Sequence, residues 1–377
     1  MVMNKTKALI LFLAFLTSIY VGAYVFLAKG AFLRKFDPKG MGSLYSRSQY
    51  VVGSGSEGIG DDGLYAYAGY YYFFDHGNIT QINFEHPPLG KYLIGFSIFI
   101  FHNENVINLY YYVGLLGMVY LFGRMILDDY KLAIIAVLLV AVDPLILDNL
   151  VLSLLDIPFT LFFLCGVYFF IKGFKQCKFF YFSFFFWGIT SSIKFFPAFL
   201  FVYLFQTILV FFYKRNFLIS YFKASLLVPF IYLLSHVAFF VYTPSLIEFI
   251  RFKKWTVAWW SGSPRIMGNI FRNIFTGYYV DSTKNIVSNE YWTILWPFFV
   301  ILSMLRFRIK ILSDDKQLPL LATWGLIVIY VLYTALFTGG LQKFLMPVWP
   351  FLVIISIHSL ESFYSIIKQW KKPILRQ

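Results

Sequence analysis

Residues 8–28 read Ala8-Leu-Ile-Leu-Phe-Leu-Ala-Phe-Leu-Thr-Ser-Ile-Tyr-Val-Gly-Ala-Tyr-Val-Phe-Leu-Ala28, with no charge in the run. At 1.5 Å per residue, about 20 apolar residues are needed for a helix to cross the hydrocarbon of a bilayer. Lys5 and Lys7 precede the run, it is long for a signal-peptide core, and no small-x-small site closes it. We therefore read it as a retained anchor. Working outward, further apolar runs fall near 107–123, 132–147, 154–171, 179–193, 195–213, 224–242, 291–305, 318–338 and 344–362. The fold class expected is an all-α polytopic membrane protein with about ten transmembrane helices.

Composition agrees, for 59% of the 377 residues are hydrophobic, 22% aromatic and 13% charged. Soluble domains carry about 25% charged residues, so a soluble, disordered or collagen-like chain is excluded. Cys165 and Cys177 make no disulfide framework. The formal charge of +14 could suggest nucleic acid, but its distribution gives another reading. With the N-terminus inside, eighteen basic residues fall in cytoplasmic segments, from Lys5 and Lys7 through Arg306, Arg308, Lys310 and Lys316 to Lys368, Lys371, Lys372 and Arg376. The short outer loops hold only Lys194 and Lys343. Cytoplasmic loops are enriched in Lys and Arg, so both termini are expected inside and no nucleic-acid partner is implied.

Two outer segments, 29–105 and 243–290, are too long to be mere connectors. Within the first, Leu64–Phe74 and Leu89–Phe101 read as short helices at the membrane surface. No internal repeat and no separate soluble domain is expected, so residues 1–377 form one transmembrane unit.

The first loop concentrates the candidate chemistry. Gly53-Ser-Gly55-Ser-Glu-Gly58 matches a dinucleotide fingerprint but lacks the strand and βαβ unit the fingerprint requires, so it reads as a flexible loop. Asp61-Asp62 opens the first surface helix. Acids there can complement the helix dipole, or one can face a site at the membrane surface; neighbours diverge by about 100°, so the two should differ in role. In Phe84-Glu85-His86-Pro87-Pro88-Leu89-Gly90-Lys91 the double proline fixes an extended entry to the second helix. Asn78-Ile-Thr80 is a glycosylation sequon to which we attach no function. Trp255, Trp259 and Trp260 suit an interfacial aromatic belt, with sugar stacking as the alternative.

Asp61-Asp62, Tyr65, Tyr72 and His86-Pro-Pro-Leu-Gly-Lys91 together resemble the first external loop of the protein O-mannosyltransferases, GT-C membrane glycosyltransferases. Asp143-Pro144 with Leu154-Leu155-Asp156-Ile157-Pro158, then Ser192-Ile193-Lys194-Phe195, resemble later segments of that family. Lys343-Phe-Leu-Met-Pro347-Val-Trp-Pro350 resembles the start of a late helix in GT-C enzymes generally. The chain departs in having Asp-Asp where the family has Asp-Glu, and in lacking an arginine before Leu154-Leu155-Asp156. Its second long loop is also too short for the β-trefoil of eukaryotic members, which favours a bacterial or archaeal enzyme.

The resemblance implies a polyprenyl- or dolichyl-phosphate sugar as donor, a hexose (mannose in the family) as the group moved, and a protein Ser/Thr or glycolipid hydroxyl as acceptor. It places Asp61 as general base with Asp62 assisting, and inversion at the anomeric carbon. Donor binding falls to Glu85, His86, Lys91, Asp156, Lys194, Arg265 and Lys343, with Arg272 a further phosphate candidate. Aminoarabinose transferases of lipid A have Lys-Pro-Pro at the place of His86-Pro87-Pro88, which tilts the reading toward mannosyltransfer. No cofactor is required; a divalent cation on Asp61, Glu85, His86 and Asp156 is conceivable. A transporter or lipid flippase is the alternative of another class, disfavoured by the missing repeats and mid-membrane charges.

Overall fold

The computed structural model describes residues 5–53, 57–194, 196–262, 265–304 and 317–371. The centre of the 53–58 pattern, Phe195, the basic residues from Arg306 to Lys316, and Lys372 and Arg376 lie outside the described residues, as do the side chains of Lys5, Lys368 and Lys371.

The chain begins with α1 (Lys5–Leu27), α2 (Lys29–Leu33) and α3 (Pro38–Ser46). Two short helices follow, α4 (Asp61–Phe73) and α5 (Leu89–Phe101), and then α6 (Val106–Leu127). The middle is α7 (Tyr130–Ala141), α8 (Pro144–Val151), α9 (Asp156–Gly173), α10 (Lys178–Ile193) and α11 (Phe199–Tyr213). Next come α12 (Leu218–Ser225), α13 (Leu227–Ser235), α14 (Val237–Tyr242), α15 (Leu246–Gly262) and α16 (Asn269–Thr276). A hairpin, β1 (Tyr278–Val280) and β2 (Ile286–Ser288), precedes α17 (Leu295–Met304), α18 (Leu318–Phe337) and α19 (Trp349–Lys371).

Each expected apolar run contains helix, though not every run forms one helix of full spanning length among the described residues. Among the described residues five helical stretches are long and apolar enough to cross a membrane: Lys7–Leu27, Val106–Leu127, Asp156–Gly173, Arg215–Ser235 and Leu318–Phe337. A sixth is the pair α7 and α8, bent by 59°. The bend has a local cause. Pro144 cannot continue α7, and Asp143 caps the new helix by accepting from the amides of Leu145 and Ile146 at 3.1 and 3.3 Å. These spans make the chain a multi-pass membrane protein.

Helix α9 is the centre of the bundle and is buried along most of its length, whereas α1 is largely uncovered and exposes Leu9, Leu11, Phe12 and Phe15. A bare apolar helix face of that kind is stable in hydrocarbon and costly in water. Around α9 the core is aromatic: Phe163 meets Trp187 edge-on at 5.0 Å, and Trp187 is fully buried.

Both expected surface helices are present as α4 and α5, and two glycines bring them together. A β-carbon on Gly95 would lie 2.4 Å from the Gly69 carbonyl oxygen and 2.6 Å from Phe73 Cβ. Neither position has room for a larger residue, so the backbones approach as in small-residue helix packing. The second long segment is more ordered than a loop, for it holds the 17-residue α15, the amphipathic α16 and the antiparallel hairpin pairing Tyr279 with Val287. The all-α expectation is corrected to that extent; a three-residue strand pair carries too little hydrophobic alternation to be read in advance.

Candidate active site

Asp61 stands in the first turn of α4, where the N-cap is Gly60. Its position is fixed from upstream by Gln49, whose side chain accepts from the Ile59 amide at 2.9 Å and donates to the Ile59 carbonyl at 3.0 Å. From the other side Ser153 Oγ donates to the Asp62 carbonyl at 2.9 Å. The two acids diverge. Asp61 Oδ2 accepts from Lys343 Nζ at 2.8 Å, whereas Asp62 Oδ1 folds back over Gly60, lying 2.6 Å from where a β-carbon would be. Both are first-turn acids favoured by the helix dipole, and Asp61 also meets the site, so the two readings of this pair are divided between its members.

A second ion pair lies behind the first. Asp156 opens α9, Lys194 closes α10, and Lys194 Nζ donates to Asp156 Oδ1 at 2.6 Å. Their side chains are 4% and 11% exposed, against 39% and 31% for Asp61 and Lys343. Between these pairs opens a cavity of about 520 Å³. His86, Asp156, Lys194, Arg265 and Lys343 give its polar lining, and Phe159, Phe196, Phe201, Tyr330, Tyr333 and Phe337 its aromatic wall. Volume and composition are those of a ligand site, mostly apolar with a few convergent polar groups.

The charges are coupled. Burial alone would raise the Asp61 pKa, but the charge and hydrogen bond of Lys343, with Lys194 beyond, hold it below its ordinary value. Burial would lower Lys343, yet Asp61 and Asp156 hold it above the ordinary lysine value. Lys194 goes down, because burial and the neighbouring Lys343 outweigh Asp156. Glu85 is raised by burial and by Asp61. Burial and three nearby lysines push His86 well below its ordinary value, so its ring is neutral at physiological pH.

Lys91 is placed differently from expectation. It is fully buried and donates to three oxygens, the Asn83 carbonyl (2.6 Å), Asn83 Oδ1 (2.9 Å) and the His86 carbonyl (2.7 Å). An ammonium has three donors, and here all three are used. Lys91 therefore pins the Pro-Pro turn and does not line the cavity. Arg272, also considered for phosphate, is exposed on α16 outside the lining. Glu85 lies beside Asp61 without lining the cavity, and its carbonyl accepts from Trp260 Nε1 at 2.9 Å.

The tryptophans also meet the Pro-Pro loop. Trp255 and Trp259 pack on Phe84, with centroids at 4.1 and 5.3 Å, and Trp260 packs on His86 at 5.2 Å while lining the cavity. Helix α15 thus clamps the loop that carries Glu85 and His86. The conceivable cation site is not assembled either. Asp61 and Asp156 are engaged by separate lysines, and among the described residues no three His, Cys, Asp or Glu side chains come together as metal ligands.

Sequence reasoning missed the aromatic wall. Tyr330, Tyr333 and Phe337 sit in a run indistinguishable from any spanning helix, and only the packing of α18 against α11 turns them toward the cavity.

Comparison with known proteins agrees with this architecture. The family model for dolichyl-phosphate-mannose-protein mannosyltransferase matches residues 85–247, the part of the chain from the Pro-Pro turn to the start of α15. The resemblance first read from residues 61–91 is borne out by that match and by fold. ArnT from Cupriavidus metallidurans, a GT-C glycosyltransferase, is similar in its apo state with a TM-score of 0.57 at 13% identity, over 80% of this chain and 55% of that one. Its complex with undecaprenyl phosphate gives a TM-score of 0.59 at 13% identity, over 91% of this chain and 60% of that one. The chain thus spans somewhat over half the length of those structures, and what it shares with them is the GT-C fold. No curated protein matches the chain by sequence.

Proposed function

We propose that this chain is a glycosyltransferase that moves a sugar from a polyprenyl-phosphate carrier to a hydroxyl acceptor, with Asp61 as general base. The observation that carries the reading is the Asp61–Lys343 pair at the edge of a cavity also lined by Arg265 and by Lys194, the latter paired with Asp156. A phosphate ester leaves as an anion and needs no proton, so one carboxylate suffices where a glycoside hydrolase needs two. The acceptor oxygen bonds to the anomeric carbon, the carbon–oxygen bond to phosphate breaks with its electron pair going to phosphate, and the hydroxyl proton passes to Asp61. Direct displacement inverts the anomeric centre. Lys343, Arg265 and Lys194 supply the positive field for the departing phosphate, the kind of term that usually contributes most.

The carrier lipid has a path in this reading. Phe201 on α11 and Phe337 on α18, stacked with centroids 6.4 Å apart, line the cavity and are 44% and 47% exposed. A cavity wall built on two apolar helices suits a substrate whose tail stays in the bilayer. The ArnT complex with undecaprenyl phosphate supports a carrier of this class.

The family match favours mannose and a protein Ser/Thr acceptor as the first reading. A glycolipid acceptor is the second reading, favoured by the similarity to ArnT. The expected orientation, with the site on the outer face of a prokaryotic cell membrane and both termini inside, belongs to the same proposal. The deciding experiment gives purified protein a set of hexosyl polyprenyl phosphates with peptide and glycolipid acceptors, and reads product mass and anomeric configuration. Inverted product on one acceptor class supports the proposal; retained configuration, or transport of substrate without covalent transfer, contradicts it.

A further inference from the structure

Of the five basic residues considered for the carrier phosphate, Arg272 lies outside the cavity lining, and the structure separates the other four by what each would give up. Lys91 is locked by three acceptors outside the cavity. Lys194 is tied to a buried carboxylate, and leaving it would strand Asp156 in the bundle. Arg265 lines the cavity from an exposed position, donating to the Ser261 carbonyl at 3.4 Å. Lys343 also lines the cavity, and its partner Asp61 does not. Its ammonium therefore stands between the cavity and the base.

This interposition creates a conflict and resolves it. The carboxylate that must take a proton is hydrogen-bonded to an ammonium. The pair is about a third exposed on each side, and ion pairs that water can reach are cheap to separate. The donor's phosphodiester is a monoanion like the carboxylate, and a second charge develops on its phosphate as the bond to the sugar breaks, which strengthens its hold on an ammonium. Lys343 sits in the short turn Gln342–Phe344, just after Gly340 with its φ of 64°, on a flexible four-carbon stem.

We propose that Lys343 is handed from Asp61 to the carrier phosphate when the donor binds, so that the base is freed only in the donor-loaded site. The inference rests on the function proposed above and adds an order to it: donor first, then acceptor. Paired with Asp61, Lys343 masks the base; transferred to the carrier phosphate, it becomes a cation stabilising the leaving group.

The test is binding of undecaprenyl phosphate to detergent-purified wild type, Asp61→Asn, Lys343→Met and the double variant, with Lys343→Gln as a second removal of the charge. Because Asp61 competes with phosphate for the ammonium, Asp61→Asn should tighten binding by about two- to fivefold. Lys343→Met and Lys343→Gln should weaken it, and in either background Asp61→Asn should add no tightening. Unchanged or weaker binding in Asp61→Asn overturns the hand-off. Tightening that persists without Lys343 overturns it too, since it would report only relief of repulsion between two anions. If wild type binds and these patterns fail, the hand-off alone falls. If wild type binds no polyprenyl phosphate, the functional proposal falls with it.

Discussion

Replacing Lys194 with methionine should be among the most damaging single changes away from the glycine contacts. The Lys194–Asp156 pair joins the end of α10 to the start of α9 with an N–O separation of 2.6 Å, and the two side chains are 11% and 4% exposed. Methionine keeps much of the lysine volume, so packing changes little while a buried carboxylate loses its partner. Removing one member of a buried pair costs about 3–5 kcal/mol, chiefly because the remaining charge is uncompensated. At roughly 2 °C per kcal/mol for a large chain, the melting temperature should fall by about 6–10 °C. The assay is thermal unfolding in detergent at one scan rate, since membrane proteins commonly unfold irreversibly. The decisive arm is the double variant Lys194→Met with Asp156→Val. Replacing both charges by apolar groups is often neutral, so most of the stability should return. Activity should not return with it, because Lys194 also lines the cavity. A Lys194→Met protein as stable as wild type, or a double variant as unstable as the single one, would refute this account of the pair.

Three further outcomes follow from the geometry. Gly95→Ala should push α5 off α4, since its β-carbon would lie 2.4 Å from the Gly69 carbonyl oxygen; such overpacking costs about 1–3 kcal/mol, read as a lower melting temperature with reduced activity. Lys343 holds the Asp61 carboxyl below its ordinary value, and a base fails as pH falls through its own pKa. The acid limb of kcat/KM for the donor should therefore move to higher pH in Lys343→Met, measured as a rate profile of the free enzyme. Lys253 on α15 donates to His236 Nε2 at 2.7 Å, and burial pushes it from 10.5 down to about 7. The unfolded chain then holds more protons between pH 7 and 10.5, so stability should rise with pH through that window. Lys253→Met should flatten the rise in melting temperature between pH 7 and 9.

The amount legible in the sequence followed the strength of the local signal. Residues 8–28 announce a spanning helix because hydrocarbon imposes one length and one polarity on such a segment. Pro87-Pro88 and Asp61-Asp62 mark helix starts through backbone restriction and dipole, and α5 and α4 begin beside them. The run 224–242 looked like one span, but its helix breaks near Leu226 and again at His236, whose ring packs on Tyr232 and faces Lys253. Pro229, which cannot donate to the Ser225 carbonyl, is the local mark of the first break, whereas no residue of that kind marks the one at His236. Charged residues were easier to find than to assign. Lys91 and Lys343 look alike in sequence, and only their partners, three oxygens of one turn against a carboxylate 282 residues away, separate a structural lysine from one at the site.

The central claim is that Asp61 accepts a proton during sugar transfer from a polyprenyl phosphate. Its most direct test compares wild type with Asp61→Asn in a transfer assay on the acceptor that wild type glycosylates, with carrier binding measured in parallel. The account predicts that the variant still binds the carrier while transfer falls by about 10²–10⁴-fold, the usual contribution of a positioned base. An Asp61→Asn protein that keeps most of its transferase activity would contradict it.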